Sequence, residues 1–140
     1  MTEASEPGGP FGRVSSGTAW ETAVGYSRAV AAGDYVFVSG CTSVQGARVV
    51  HPGDAYAQAG QAIRNAGQGL AGLGASLADV VQTRMYVTDI SRWREFGRAH
   101  SDAFGTIRPA ATMVQVAALI DPALLVEIEV TAYRHGIGRP

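Results

Sequence analysis

The sequence contains no lysine. Its 140 residues carry eleven basic side chains counted as Lys plus Arg, and all of them are arginine. A lysine Schiff base is therefore impossible, which excludes pyridoxal enzymes and lysine-dependent aldolases. There is a single cysteine, Cys41, so neither an intramolecular disulfide framework nor a cysteine-rich zinc site can form. No HxH or HExxH spacing marks a metal site. Charge is scarce as well: 16% of residues are charged and the net charge is −1. Nothing in that balance favours nucleic acid or an acidic membrane surface. No apolar run approaches the ~20 residues of a spanning helix. The opening "MTEASEPGGPFG" lacks the apolar stretch of a signal peptide. The expectation is a cytoplasmic protein without cofactor, nucleic-acid partner or membrane partner.

What is present suits one small domain. Hydrophobic residues make up 46% of the chain, enough for a core, although a domain of this size buries a modest share of its surface. The low charge fraction suggests that some surface is hidden in an oligomer. Residues 1–23 read as a flexible N-terminal arm, 24–135 as the domain and 136–140 as a C-terminal tail.

Periodicity supplies the elements. "SRAVAAGDYVFVSG" gives two short strands around the turn signal Gly33-Asp34, and "ARVVH" a third. Asp54 in "HPGDAYAQ" caps a helix whose apolar stripe is Tyr56, Ala59, Ile63, Ala66, Leu70 and Leu73. Gly74 is the expected stop. "DVVQTRMYVTD" is a strand with Thr83, Met85 and Val87 on one face and Arg84, Tyr86 and Thr88 on the other. Thr88, Asp89 or Ser91 caps a second helix, where Trp93, Phe96, His100, Ala103 and Phe104 share a face and Gly105 ends the run. "AATMVQVAAL" and "ALLVEIEVTAYR" are the last strands. The order β-β-(β)-α-β-α-β-β predicts an α+β layer: a mixed β-sheet with both helices on one face. The other face is left for solvent or for another subunit.

Four separated motifs, "VGYSRAVAAGDYVFVSG", "DVVQTRMYVTD", "RPAATMVQVA" and "LLVEIEVTA", resemble the Rid family, also written YjgF/YER057c/UK114. The resemblance runs in order from about Val24 to Tyr133. It implies a chorismate-mutase-like fold and a homotrimer in which the bare sheet faces line a central barrel. Small-molecule sites then lie in clefts between subunits. It implies hydrolysis of imines and enamines, such as 2-aminoacrylate, to a keto acid and ammonia. In the branch best known for that activity the strand reads Pro-Ala-Arg, and the arginine binds the substrate carboxylate as a bidentate pair. Here Pro109 and Ala110 match, but the arginine position holds Ala111. By the same resemblance Glu127 orients the attacking water, Tyr26 is a pocket tyrosine, and Ser39-Gly40 lines the cleft. Gly97 stands where the family often has a pocket asparagine.

Residue chemistry adds candidates and plainer alternatives. Glu127 and Glu129, two apart on one strand face, raise one another's proton affinity, or are a polar interface face satisfied by arginines. Arg84, a charge within an apolar strand, needs a partner if buried. It supplies the missing guanidinium or pairs with Glu127 or Glu129. Arg108 reaches the cleft mouth or anchors a loop. Backbone N–H groups around Ala111 and Thr112 offer oxyanion-type donors. His100 reads as a hydrogen-bonded core histidine. Cys41 as a nucleophile needs a nearby cation that the flanking sequence does not show. Trp20 covers the pocket or docks the arm.

Two functions follow. One is a hydrolase acting on an imine, enamine or related C–N bond, with a substrate less acidic or larger than a 2-imino acid. The other is a non-catalytic trimer that binds a metabolite or regulates a partner. RNA cleavage is disfavoured by the charge balance.

Overall fold

Alternation of apolar and polar residues builds the first hairpin, β3 (Ala29–Ala32) and β4 (Tyr35–Cys41), with Ala32 opposite Tyr35. The two-residue turn needs a left-handed residue at its first position, and Gly33 supplies it with φ +60°. The computed structural model describes residues 3–4 and 11–134. His135 and the expected tail, 136–140, lie outside the described residues, as do residues 1–2 and 5–10.

Within the stretch expected as a flexible arm, residues 11–15 extend the sheet and residues from 19 on form a short helix. β2 (Phe11–Ser15) pairs antiparallel with β3, and β1 (Glu3–Ala4) pairs with β2. A short helix α1 (Ala19–Val24) follows and ends at Gly25 in the left-handed region. The reason is burial: Val14 is only 1% exposed, so this stretch contributes to the core despite its Gly/Pro-rich flank. Trp20 on α1 is 55% exposed.

Helix α2 (Ala55–Ala71) begins where Asp54 accepts a hydrogen bond from Ala57 N at 2.9 Å. It ends in a Schellman arrangement around Gly74, with Ala75 N donating to Leu70 O (3.0 Å) and Gly74 N to Ala71 O (3.2 Å). Ala59, Ile63, Ala66 and Leu70 of the expected stripe are buried. Gln58 is also fully buried. It donates to His51 O (3.2 Å) and Ala123 O (2.9 Å) and accepts from Leu125 N (2.8 Å), tying α2 to the loop before the last strand. Between β4 and α2, β5 (Val44–Gln45) and β6 (Arg48–Val49) form a separate two-stranded ribbon, so "ARVVH" is a strand of two residues.

β7 (Val80–Val87) alternates as expected, with Thr83, Met85 and Val87 buried. Asp89 caps a 3-10 turn at Ile90–Arg92, and helix α3 (Trp93–Phe104) follows directly. Phe96 and Phe104 are buried, but Trp93 is 49% exposed, and Ala99 takes a buried place instead. β8 is shorter than the apolar run suggests. It spans Ala110–Gln115 because its partner β7 ends at Val87, opposite Gln115. β9 is Val126–Tyr133.

The strands form one seven-stranded sheet in the order β1-β2-β3-β4-β9-β7-β8, antiparallel except for β7–β8. Helices α2 and α3 pack together on one face, and the core lies between them and Val36, Val38, Val87, Val126, Ile128 and Val130. This is the expected mixed α+β domain. On the opposite face, which the described helices leave bare, Tyr35 and Phe37 remain about half exposed.

Candidate functional site

The bare face collects polar side chains by register alone. Glu127 faces Tyr86 across β9–β7, and Glu129 faces Arg84. Across β7–β8, Arg84 faces Thr112. Directly opposed residues point to the same side of a sheet, so Glu127, Glu129, Arg84, Tyr86 and Thr112 share it.

Arg84 is not buried. Its side chain is 44% exposed, lies 3.9 Å from Glu129 Oε1 and donates to Gln82 Oε1 at 3.2 Å. The Tyr86 hydroxyl also donates to Glu129 Oε1. Glu129 is thus the shared acceptor of a surface network, and such exposed pairs contribute at most ~1 kcal/mol. Arg84 pairs with Glu129, not with Glu127.

Glu127 is different. Half buried, its carboxyl is pushed above the usual glutamate range, first by burial, then by the neighbouring Glu129 charge, while Arg28 pulls it back. No hydrogen bond to its carboxylate contributes to that shift. Such a group accepts a proton more readily than an ordinary glutamate, as a general base requires.

Its seat is a bulge. The register of β4 against β9 shifts between Val38 and Cys41, and bulges re-aim side chains. At Gly40 the backbone passes so close to Glu127 that a Cβ would fall 2.3 Å from Oε2. Only glycine leaves that space. Ser39 Oγ donates to Ser27 O at 2.7 Å, holding the strand end to the segment that carries Tyr26. Tyr26 is 37% exposed, and its ring centroid is 5.7 Å from the Arg28 guanidinium carbon. Ser39, Gly40, Tyr26 and Glu127 are therefore linked at one end of the sheet.

Arg28 had no place in the sequence-based expectation. Its signal is weak, one arginine beside a hairpin, and only the bulge makes it an interior residue. It also changes the account of Cys41. A cation is present after all, with Arg28 Nη1 3.3 Å from the Cys41 sulfur. Burial nonetheless pushes the thiol up, Arg28 offsetting it only in part. Cys41 is a buried thiol donating to Ser39 O at 3.3 Å.

The second group of candidates stands apart. Ala111 lies opposite Thr83 on the helix side of β8, two strands from β9, a separation of about 10 Å at the usual strand spacing. Within one chain Ala111 and Glu127 do not meet. Arg108 is exposed just before β8, in the left-handed region with φ 54°, its N–H donating to Phe104 O at 2.8 Å. β8 is the sheet edge, and Ala110, Ala111 and Thr112 are exposed, so their backbone is open to a partner.

His100 Nε2 lies 2.8 Å from Thr83 Oγ1, and burial lowers its proton affinity. It is a hydrogen-bonded core histidine. Among the described residues, no group of three or more His, Cys, Asp or Glu could hold a metal ion. No described helix is long and apolar enough to cross a membrane.

Sheet order, single-sided helices and a shielded glutamate on the bare face define a chorismate-mutase-like α+β domain with a candidate small-molecule site. The sequence profile of the family described as "Endoribonuclease L-PSP" matches residues 16–134. The protein SCO2049 of Streptomyces coelicolor is 38% identical over 125 residues, covering 89% of this chain and 93% of its own. The crystal structure of Rv2704 from Mycobacterium tuberculosis, described as a member of the YjgF/YER057c/UK114 family, superposes with TM-score 0.81 at 54% identity, covering 88% of this chain and 98% of that one. TdcF of E. coli, whose structure holds bound serine, superposes with TM-score 0.71 at 27% identity, covering 78% and 87%. This chain belongs to the YjgF/YER057c/UK114, or Rid, family.

Proposed function

We propose that the protein hydrolyses an imine, enamine or related C–N bond, in a cleft completed when chains assemble as a homotrimer. The observation that carries this reading is Glu127, a half-buried carboxylate of raised proton affinity, seated against the one residue type that leaves it room. In this reading Glu127 takes a proton from water as the oxygen attacks the electrophilic carbon. Glu127 passes that proton to the nitrogen, giving the carbinolamine (an enamine first tautomerises to its imine). The carbinolamine collapses to a carbonyl as the hydroxyl proton follows by the same route, so the nitrogen leaves as an amine or ammonia carrying both of the water's protons. Backbone N–H groups at the open β8 edge of a neighbouring chain, around Ala111 and Thr112, would hold the polarised atom. Tyr26, Ser39 and Gly40 would line the cleft, with Arg84 and Arg108 at its margins. The serine bound to TdcF supports a ligand of amino-acid size.

Ala111 shapes the substrate. Without a guanidinium fork there, a carboxylate has no bidentate partner at this position, so the substrate is uncharged or larger than a 2-imino acid. The same alanine favours a second reading, a non-catalytic trimer that binds a metabolite. The endoribonuclease wording of the family description finds no support in the charge of this chain, which is −1 with no lysine.

The test generates imines in situ, neutral ones with an amine oxidase and 2-imino acids with an amino-acid oxidase, with semicarbazide competing for each. The wild type is expected to hydrolyse the neutral imine faster than the acid. Glu127→Ala is expected to lose activity by about 100-fold or more, the usual contribution of a general base. Ala111→Arg is expected to gain the acid substrate. A wild type that accelerates neither reaction refutes the hydrolase and leaves the binding protein.

A further inference from the structure

Four elements converge behind the Glu127 seat. Before β3, the Arg28 guanidinium donates through Nη1 to Gly40 O at 2.7 Å and to Ser39 O at 3.2 Å. These are the two carbonyls of the β4 bulge. The same nitrogen touches the Cys41 sulfur. Arg28 is itself held: its Nε lies 3.9 Å from Glu21 Oε2 on α1, and both side chains are nearly buried, 12% and 4% exposed. Glu21 is fixed in turn by Ser16 N (3.1 Å to Oε1) and Thr18 Oγ1 (3.0 Å to Oε2). A buried arginine needs partners for charge and donors alike, and a bulge leaves ladder carbonyls without strand partners. Each need answers the other.

We infer that Arg28, anchored by Glu21, is a positioning residue that clamps the Ser39-Gly40 bulge and thereby fixes where the Glu127 carboxylate stands. The inference deepens the hydrolase reading and rests on it for the catalytic consequence. The positional consequence stands without it. Beyond geometry, Arg28 acts on Glu127 through its charge, holding the carboxyl below where burial and Glu129 would push it. The other groups around Glu127 are Glu129 on its own strand, Tyr86 on β7 and Cys41 on β4, and Arg84 acts on Glu129. Arg28 is the cation among them that also touches the backbone seating the carboxylate. Arginine suits the place because one planar nitrogen serves two carbonyls while the charge stays fixed.

The test reads Glu127 directly. Protein labelled with carboxyl-13C glutamate is titrated by NMR, and the Glu127 resonance is assigned by its loss in Glu127→Gln. In Arg28→Met the Glu127 midpoint is expected to rise. The kcat/KM for imine hydrolysis is expected to fall by roughly 10- to 100-fold, the scale of a misplacement of about 1 Å, with its acid limb moving to higher pH alongside the NMR midpoint. Arg28→Lys, which keeps the charge and loses the fork, is expected to move both in the same direction by less, and it decides the matter should Arg28→Met fail to fold. A folded Arg28 variant with the wild-type midpoint overturns the inference. If the wild type hydrolyses no imine, the hydrolase reading falls while the titration still decides the role of Arg28.

Discussion

Replacing Gly40 by alanine exchanges one hydrogen on the backbone beneath Glu127 for a methyl group. The new Cβ would lie 2.3, 2.7 and 2.8 Å from Oε2, Cδ and Cγ of that side chain. Ordinary contact begins at about 3.4 Å, so the carboxyl must retreat by about 1.1 Å, the difference between 3.4 and 2.3 Å. The obstacle is the Glu127 side chain from Cγ outward rather than backbone, so the retreat is a side-chain readjustment of about 0.5–1.5 kcal/mol. At fixed protein concentration that corresponds to a fall in Tm of roughly 2–5 °C for a domain of this size. The site is affected far more, since a misplacement of about 1 Å can reduce turnover by ~100-fold. Gly40→Ala is therefore expected to be folded, slightly less stable and nearly inactive in the imine assay, with a displaced Glu127 carboxyl resonance. Unchanged activity together with an unchanged resonance would refute the claim that the glycine seats the catalytic group. A Tm collapse would refute the claim that the clash is confined to the side chain.

Two further outcomes follow from particular contacts. Between the ordinary glutamate value of 4.5 and the raised folded value of Glu127, the folded chain holds a proton that the unfolded chain has lost, so this group contributes stability at acid pH that is lost as pH rises through the window. Glu127→Gln should gain on the wild type in urea melts as pH climbs from 4.5 toward neutrality, and a stability gap constant with pH would contradict the shift. Asp54→Ala, which removes the acceptor for Ala57 N, should lower stability by about 0.5–2 kcal/mol, seen as a lower urea midpoint with an unchanged slope.

The parts of the fold that the sequence shows are those where one period dominates. The α2 stripe, the alternation of β7 and β9, and the Gly33-Asp34 turn all carry local patterns that packing then uses. β2 carries no such pattern in its Gly/Pro-rich flank, and its place comes from pairing with Ala29–Ala32. Trp93 fits the helical stripe by spacing, yet α3 turns Ala99 inward instead. The candidate site was legible only where the family resemblance pointed to it, as at Glu127, Ser39 and Gly40, which the structure brings together. The bulge was not legible, because a register shift between β4 and β9 depends on residues nearly ninety positions apart. Arg28 was hidden with it, since its role depends on carbonyls that only the bulge leaves free. Arg84 looked buried because its sequence neighbours are apolar, whereas the uncovered sheet face leaves it open.

The sheet order has a consequence for how the chain is made. β9, the last strand in the sequence, lies in the middle of the sheet between β4 and β7. The hairpin β3–β4 can close early, and so can the β7-α3-β8 unit. Within the sheet these halves are joined only by Val126–Tyr133, because Val38 and Thr83 meet through Val130, while α2 and α3 pack against each other across them. Synthesis from the N-terminus at about 5–20 residues per second therefore spends most of its time producing two halves with exposed strand edges. The native sheet forms in one late step, after the final strand has left the ribosome. A chain cut short before Val126 keeps its sheet in two unjoined parts, with the edges of β4 and β7 that β9 would cover left open.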